Sequence, residues 1–545
     1  MIVIKTIAAS SPKAKRLESV GGTMMLQIRA SRKSLFRVFL PASCMLSLSV
    51  LLTHPAAAQG TQSCDARFQG ASPPDPPTAP TLSDVSAPTN PNSPINPTLI
   101  PADECESANF NGDPIPHFDD YSWRAFIALV WPAKAGQRGV PDPNQPLGAA
   151  GIPSVFETYK TDWETFQPNA QAPTDWNSFS FGSVPCSNAK DIQPGDMVLA
   201  SFHEFGNVGE AGIGSLVNVL VAQNRTYVVY LAAYNSLEFN LIAQKRLYDA
   251  ANLPPPSTPG TNAPVVPSPI GAMTLKSSWI DMTGIAHPER FHTRTAWVKN
   301  LGTGVCEKKT MGLVGLHIVQ KTPNRPQWIW STFEQVDNVP DPDSPAGATF
   351  NFNSGDGKSM PTSPSQLGPD YKIGTAPASP PPPFNVDRQP PDPSKPAINS
   401  DTKTTNSNWQ KVLKQQGSVW QFYKLIMTQW PIFTEPGQSA FGIQAPQPCG
   451  AAPGCDGSPE NTFPGTIQGL GAPSAFANAT LETFDQRFVS KSCMACHNSA
   501  RKTDFVWSLP MLASNAISVA QTTPTTSQPR AGALRTLQAI LEQPR

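Results

Sequence analysis

Proline places the strongest limit on how this chain can fold. The sequence has 61 prolines among 545 residues, about twice the usual share, and they concentrate at residues 70–102 and 339–397. Proline fixes φ and donates no backbone hydrogen bond, so neither segment suits a helix interior or a central strand. We therefore expect an extended, disordered arm at residues 59–106 and a Pro-rich excursion at residues 339–400.

The body between these segments, residues 107–338, is dominated by β signals. A helix is predicted at residues 121–131, where Pro132 ends it. Short connections between successive strands are typical of an antiparallel sheet. The predicted class is therefore α+β, with an antiparallel β-rich body that is sandwich-like or barrel-like. The predicted strands, rich in β-branched residues, are residues 215–222, 227–233, 273–282, 293–299, 313–320 and 327–335.

The remaining region, residues 401–545, is predicted to be helical. Apolar residues recur at helical spacing within residues 409–429, and Pro431 follows them. A second apolar series, Leu481, Phe484 and Phe488, indicates a helix that leads into the last two cysteines of the chain.

Those two cysteines belong to the sequence Cys493-Met494-Ala495-Cys496-His497, which is the C-x-x-C-H pattern of c-type haem attachment. Residues three and four apart share one face of a helix, so both thiols can reach the vinyl groups of one porphyrin while the imidazole reaches the iron. A redox C-x-x-C pair has no need of the adjacent histidine, and a zinc site needs two more ligands in a similar cluster. The sequence therefore predicts one covalent haem c, anchored by Cys493 and Cys496, with His497 as the proximal iron ligand.

The N terminus predicts export, which c-type haem attachment requires. Residues 1–58 resemble a signal peptide: a basic stretch precedes the apolar residues 38–52, and Ala56-Ala57-Ala58 forms a small-residue cleavage site. The leader is unusually long, so Met24 or Met25 is an alternative start. We expect a periplasmic or secreted protein with no integral membrane span after cleavage.

Charge argues against nucleic acid as a partner. Residues 1–58 hold eight of the 40 basic residues and one of the 40 acidic residues, which leaves 32 basic and 39 acidic residues, a net charge of −7, in the mature chain. An acidic chain without a Lys/Arg cluster is a poor nucleic-acid binder. We expect redox proteins as partners instead.

Six cysteines of the mature chain lie outside the haem motif, and an even number in an oxidising compartment predicts disulfide bonds. The sequence leaves their 15 pairings open. Cys449 and Cys455 are favoured as one pair because prolines and glycines form a tight loop between them. The others are Cys64, Cys105, Cys186 and Cys306.

The sixth iron ligand stays open at this stage between Met511, a histidine of the body, and no protein ligand at all. Met511 is the one methionine after the motif. His317 lies in an apolar strand after Gly312 and Gly315, which permit close approach of a flat group. His287 and His292 flank Glu289 and form a weaker metal or acid–base candidate, because a polar loop explains them as well. The fourth body histidine is His203.

Three further phrases resemble a group of bacterial mono-haem cytochrome c family proteins that are largely uncharacterised. The resemblance covers most of the chain from about residue 107 onward. It implies a large extracytoplasmic domain with one covalent haem at its end, and it brings no reaction. The phrases are Trp123-Arg124-Ala125-Phe126-Ile127-Ala128-Leu129 followed by Trp131-Pro132, Gly315-Leu316-His317, and Trp328-Ile329-Trp330-Ser331-Thr332-Phe333-Glu334.

These features predict an extracytoplasmic mono-haem c-type cytochrome that acts in electron transfer, with the β-rich body packed on a small C-terminal helical haem segment. Two alternatives remain. One is a haem-dependent oxidoreductase with an open iron face that acts on peroxide or a small substrate, and the other is a non-enzymatic haem sensor or scaffold. Electron transfer is favoured over a stand-alone enzyme because no catalytic residue can be assigned from the sequence.

Overall fold

The computed structural model describes a large part of the chain, all of it within the unit formed by residues 54–545. The predicted signal peptide at residues 1–58, with Met24 and Met25, lies outside the described residues. None of the helices that the structure describes is long and apolar enough to cross a membrane. The described residues are 61–62, 79–87, 96–103, 115–202, 207–211, 219–254, 266–322, 325, 328–356, 379–390, 396–430, 478–484, 486, 493, 497, 500 and 503–514.

Ten strands and five α-helices are found among these residues. The helices are α1 (Ile115–Val130), α2 (Asp162–Thr165), α3 (Ser236–Gln244), α4 (Ser400–Gln415) and α5 (Ser508–Leu512). Two short strands, β1 (Thr61–Gln62) and β2 (Ile100–Pro101), pair with each other. The others are β3 (Lys160–Thr161), β4 (Met197–Leu199), β5 (Val229–Tyr234), β6 (Met273–Asp281), β7 (Thr293–Lys299), β8 (Cys306–Gln320), β9 (Ile329–Gln335) and β10 (Tyr423–Gln429).

Strands β3 to β10 form one eight-stranded sheet around the long strand β8. The main path runs β10-β9-β8-β6-β5-β3 and is antiparallel throughout. β7 pairs with the first half of β8 on the edge that β9 occupies further along, and β4 adds to β7 in parallel. The predicted α+β class with an antiparallel sheet is confirmed. Among the described strands the sheet is open, with β3 and β10 at the ends of its main path, rather than closed as a barrel.

One face of the sheet, which we call the helix face, is covered by α1 and α4. Nearly every residue of α1 is buried, its polar residues included. Trp123 and Phe126 pack on Phe333 of β9 at centroid distances of 5.2 and 4.3 Å. Trp409 of α4 stacks on Trp123 at 5.9 Å. Each aromatic pair of this kind contributes about 0.5–1.5 kcal/mol beyond its buried area.

The opposite face, which we call the tail face, faces the C-terminal part of the chain. Because paired residues of neighbouring strands point to the same side, two adjoining rows of side chains can be read from the strand register. They are Lys276, His317, Thr332 and Met427 in one row, and Thr274, Val319, Trp330 and Gln429 in the next.

The helix predicted at residues 409–429 is confirmed for residues 409–415, which lie in α4, and is wrong for residues 423–429, which form β10. Helix α4 lies earlier, between the cap formed by Asn399, whose side chain accepts the Asp401 N–H, and Gly417 at φ +70°. After a short 3₁₀ turn the chain forms β10, in which all seven residues are buried. A strand buried on both faces lacks polar alternation, so its apolar residues matched helical spacing by coincidence.

The described parts of the two Pro-rich segments pack against the body. Val85 and Ile100 of the predicted arm are buried in the main core, so the disorder expected there does not hold for residues 79–87 and 96–103. Val339, Phe352 and Val386 of the second segment are also fully buried. A few apolar anchors are enough to order a Pro-rich chain on a surface that already exists.

Most of the predicted strands are found. β6 to β9 match their predicted segments closely, and β8 begins earlier, at Cys306. The predicted strands at residues 215–222 and 227–233 meet in part: Val221 pairs with Tyr227 across a turn with Arg225 at φ +63°. Residues 215–218 lie outside the described residues. The sheet also takes β10 from the region after residue 400, so it extends beyond the predicted body.

Candidate haem-binding site

Residues 478–484 cross the tail face as a series of turns. The side chain of Asn478 accepts the backbone N–H groups of Thr480 and Leu481, at 2.8 Å each. Such local side-chain bonds offer the backbone an alternative to helical hydrogen bonds. The helix predicted from Leu481, Phe484 and Phe488 is therefore wrong for residues 478–484, and Phe488 lies outside the described residues.

This segment is fixed to the sheet at its start. Glu334 Oε1 accepts the Ala479 N–H at 2.5 Å, and Ser278 Oγ donates to Thr480 Oγ1 at 3.2 Å. Glu334 is itself fully buried and paired with Arg388. A charge-assisted hydrogen bond of this kind is about twice as strong as a neutral one, so the buried carboxylate holds the segment against β9.

Gly315 allows the segment to lie directly on the sheet. A Cβ at this position would stand 2.6 Å from Ser278 Oγ and closer still to Thr480 Oγ1. At Gly312 a Cβ would meet the thioether of Met282. The glycines beside His317 therefore admit protein side chains at close range, where the sequence suggested a flat group.

Cys493 and His497 lie one helical turn apart above the tail face, and both are half-buried. The Cys493 N–H donates to Gln429 Oε1 of β10 at 2.9 Å. The His497 ring lies against Trp330 of β9, with centroids 4.4 Å apart. Cys496 lies outside the described residues. The structure therefore places the first and last residues of the motif over neighbouring strands of the sheet.

The His497 imidazole is held in one tautomer. Its Nδ1 lies 2.6 Å from the carbonyl oxygen of Phe505, and because a carbonyl only accepts, Nδ1 must carry the proton. The lone pair is then on Nε2, the arrangement that a metal-ligating histidine requires. Burial lowers the pKa of His497 to about 4, so the ring is neutral at physiological pH and its Nε2 is not protonated.

The Phe505 carbonyl is aimed by an unusual turn. Asp504 and Phe505 both have positive φ, +51° and +67°, which costs about 1–3 kcal/mol for each non-glycine residue. Buried contacts stabilise the turn. Asp504 accepts from Lys321 Nζ at 2.5 Å and from Trp328 Nε1 at 3.4 Å. Backbone strain is therefore maintained at the residue that orients His497.

His317 lies on the same face as Trp330, one row away on β8. Its Nε2 is 3.0 Å from Glu482 Oε2, and the two side chains are 16% and 14% exposed. Glu482 comes from the segment that crosses at Gly315. Lys276 is the cross-strand neighbour of His317 and forms an ion pair with Glu210 at 2.8 Å.

Met511 lies on α5, further along the tail face, and is half-buried. After α5 the chain is fixed at Ser514, whose N–H donates to the Tyr248 carbonyl and whose Oγ donates to the Gln167 carbonyl. These contacts place the end of α5 near α2 and α3, toward the β3 edge of the sheet.

His287 and His292 do not form a joint site. His287 is exposed and lies 3.3 Å from Glu289, whereas His292 Nε2 lies 2.5 Å from buried Glu157 and its ring stacks on Trp420. His203 lies outside the described residues. Within the described part of the chain, no group of three or more His, Cys, Asp or Glu residues is arranged to hold a metal ion.

Within the described part of the chain, a disulfide joins Cys186 to Cys306, and both residues are buried. It links the loop before β4 to the start of β8. The prediction of disulfide bonds is thus confirmed, and one of the open pairings is assigned. The favoured pair Cys449–Cys455, like Cys64 and Cys105, lies outside the described residues.

Sequence reasoning identified the motif but missed the residues that position it. Trp330 and Glu334 belong to one of the phrases that carry the family resemblance, and their alternate spacing is typical of one face of a strand. Gln429 lies in the segment that the apolar spacing predicts to be helical, and nothing in the sequence indicates the role of the Phe505 carbonyl. The donor set fits a c-type haem: a neutral imidazole with its lone pair on Nε2, one turn after a cysteine and beside an aromatic wall.

The chain matches no known protein-family profile, no curated protein sequence and no solved structure.

Proposed function

We propose that this protein is a mono-haem c-type cytochrome that transfers electrons outside the cytoplasm. In this proposal Cys493 and Cys496 form thioethers with one haem c, and His497 binds its iron through Nε2. The observation that carries the proposal is the state of His497. Its Nδ1 proton is held by the Phe505 carbonyl, and its ring is neutral.

The bound haem would supply a one-electron redox couple, and the chain's own residues set its surroundings. Phe505 fixes the orientation of the imidazole, which determines how its Nε2 lone pair is directed. Trp330 covers one side of the His497 ring and keeps water from it. Apolar walls around a haem are one of the ways in which a protein sets its potential.

The resemblance to uncharacterised bacterial mono-haem cytochrome c family proteins supports this proposal through the placement of its phrases. Gly315 and His317 from one phrase, and Trp330 and Glu334 from another, all face the C-terminal segment on the tail face. The sheet itself does not require these particular side chains at these positions. A shared need to hold that segment explains why they occur beside the motif.

We further propose that the haem segment depends on the sheet for part of its pocket, and that the protein acts in the periplasm or after secretion with redox proteins as partners. The described contacts of Cys493 and His497 reach β10 and β9. The Cys186–Cys306 disulfide is weakly consistent with an oxidising compartment. Recovery of a native haem spectrum from residues 470–545 alone would contradict the dependence on the sheet.

The test is to express the full chain in a host that matures c-type cytochromes and to measure covalent haem after denaturing electrophoresis. The wild type is expected to retain haem. The double variant Cys493→Ala/Cys496→Ala is expected to lose it, while His287→Ala, at an exposed histidine, retains it as a matched control. Absence of covalent haem from the wild type would refute the proposal.

The spin state and carbon monoxide binding of the reduced protein distinguish electron transfer from the enzyme alternative. A low-spin spectrum with slow carbon monoxide binding and a reversible potential supports electron transfer. A high-spin spectrum with immediate carbon monoxide binding supports an open iron face, and peroxide consumption is then the next measurement.

A further inference from the structure

We infer that Glu238, Asp504 and Lys321 form a pH-sensitive latch on residues 503–514. While one of the two carboxyls is protonated, the latch holds these residues on the body of the protein. When both carboxyls are ionised, the latch loosens them. This inference goes beyond the proposed function and requires no haem.

Glu238 is a buried carboxyl that helix capping does not explain. It is the third residue of α3 and is fully buried. A glutamate at this position commonly accepts the backbone N–H of the residue before the helix, but the Asn235 N–H donates to the Met273 carbonyl at 3.2 Å instead. Among the described residues, neither Glu238 carboxylate oxygen meets a donor in hydrogen-bond geometry. Burial without such bonds favours the protonated, uncharged carboxyl.

Asp504 and Lys321 supply the other charges of the latch. Lys321 Nζ donates to Asp504 Oδ2 at 2.5 Å, and the two side chains are 3% and 0% exposed. The Ser268 N–H donates to the same Asp504 oxygen at 2.7 Å. Burial raises the pKa of Glu238 to about 7; the Ser268 hydroxyl and Lys321 oppose this increase, and Asp504 adds to it. Glu238 therefore interacts with both members of the ion pair.

The cations on neighbouring elements are paired with other carboxylates. Lys160 of β3 lies over an aromatic ring of α3 and is 3.6 Å from Glu164. Lys276 of β6 is 2.8 Å from Glu210. Lys321 is thus the cation that acts on Glu238.

The remaining titratable groups beside α3 add no positive charge. Tyr234 of β5 is fully buried, and burial raises its pKa well above the usual value. Asp162 of α2 and Glu238 both add to that increase. These neighbours therefore do not compensate a second negative charge in the latch.

One ammonium group can neutralise only one of two carboxylates. The titrations of Glu238 and Asp504 are coupled, so the second carboxyl to ionise leaves a net charge of −1 in a buried site. An uncompensated buried charge is strongly destabilising. Asp504 belongs to residues 503–514, whereas Glu238 and Lys321 belong to the body, so movement of that segment separates the two carboxylates. The positive φ of Asp504 and Phe505 favours the same movement, because opening relieves the strain.

The direction of the pH dependence follows from the raised pKa of Glu238. The closed state is fully favoured below the ordinary value of 4.5 and loses this advantage as the pH rises through 7. The released proton passes to the buffer. If Glu238 has its ordinary pKa in the open state, the opening constant of residues 503–514 should rise roughly 70-fold between pH 5 and pH 8.

The experiment is hydrogen exchange on the purified full chain between pH 5 and pH 8, with each rate divided by that of an unstructured peptide at the same pH. Opening constants of residues 503–514 are compared in the wild type, Glu238→Gln and Glu289→Gln. Glu289 is 68% exposed, so Glu289→Gln is the matched control. The wild type and this control should show the roughly 70-fold rise, whereas Glu238→Gln should change less than about threefold.

A wild-type opening constant that stays unchanged between pH 5 and pH 8 would overturn the latch, and this result does not depend on the folding of any variant. A rise of equal size in Glu238→Gln would overturn it as well. Residues 313–320, in the central strand β8, report global unfolding in the same experiment. If residues 503–514 open no more often than these at pH 8, the segment is released only when the whole protein unfolds, which also overturns the latch.

Discussion

Replacing Gly315 by alanine tests whether the C-terminal segment is held directly on the tail face. Gly315 does not have a positive φ, so an alanine meets no backbone strain. Its Cβ would, however, stand 2.6 Å from Ser278 Oγ and closer to Thr480 Oγ1. Both atoms belong to packed backbone segments and form a hydrogen bond with each other at 3.2 Å, so neither can move away freely.

The size of the effect follows from these contacts. Overpacking a well-packed site costs about 1–3 kcal/mol, and loss of the hydrogen bond between Ser278 and Thr480 adds about 0.5–1.5 kcal/mol. We expect the free energy of local opening of residues 478–484 to fall by about 2–4 kcal/mol. At 1.4 kcal/mol per tenfold change, this corresponds to roughly 30-fold to 700-fold faster amide exchange.

The assay is hydrogen exchange followed by mass spectrometry on peptides that cover residues 478–484. Gly312→Ala is the matched control, since it lies in the same strand and its Cβ would meet the flexible thioether of Met282. The control should leave exchange of residues 478–484 near the wild-type rate. Equal protection in Gly315→Ala and the wild type would refute the reasoning.

Three further predictions concern stability. Burial raises the pKa of Asp341, but Arg388 and Lys424 more than offset this and lower it from 3.8 to about 2. The charged carboxylate therefore contributes about 2 kcal/mol to the free energy of unfolding, which is present above pH 4 and lost as the pH falls through 2. Asp341→Asn should reduce the loss of unfolding free energy between pH 5 and pH 2, measured by urea denaturation, by that amount. Burial raises the pKa of Glu238 from 4.5 to about 7. The stability that the protonated carboxyl contributes is therefore present below pH 4.5 and lost as the pH rises through 7. In the same assay, the free energy of unfolding of Glu238→Gln should gain about 3 kcal/mol relative to the wild type between pH 4 and pH 8. The disulfide joins cysteines that are 120 residues apart, and its removal should lower the free energy of unfolding by about 2–5 kcal/mol. The Cys186→Ala/Cys306→Ala variant should therefore have a lower thermal midpoint than the wild type. An unchanged midpoint would contradict this.

The fold could be predicted where one face of an element differs from the other. β6 to β9 carry β-branched residues between turn signals, and the structure contains them at nearly the predicted positions. β10 is buried on both faces, so its apolar residues show no period of two, and their spacing predicts a helix instead. The polar helix α4 before it has few apolar residues, and its start is set by a cap that the apolar pattern does not include.

The site could be predicted only as far as covalent chemistry fixes spacing. In the proposed site, the separation of Cys493 and His497 in the C-x-x-C-H motif is the one that porphyrin attachment would require. The residues around them come from distant parts of the chain: Trp330 is 167 positions before His497, a separation that strand pairing closes and local sequence does not record. The direction of the Phe505 carbonyl depends on backbone dihedral angles, which the residue types in the sequence do not indicate.

The two halves of the proposed haem site are therefore mutually dependent. On the body side, Gln429 and the indole of Trp330 lie on the tail face, where Cys493 and His497 of the C-terminal segment contact them. On the segment side, the strained turn at Asp504 needs Lys321, which follows β8, to neutralise a buried carboxylate. Breaking a buried pair by removing one partner costs about 3–5 kcal/mol, more than a short segment can recover locally. The turn that orients His497 is consequently stable only when the sheet is formed, which makes the body a wall of the pocket rather than a separate domain.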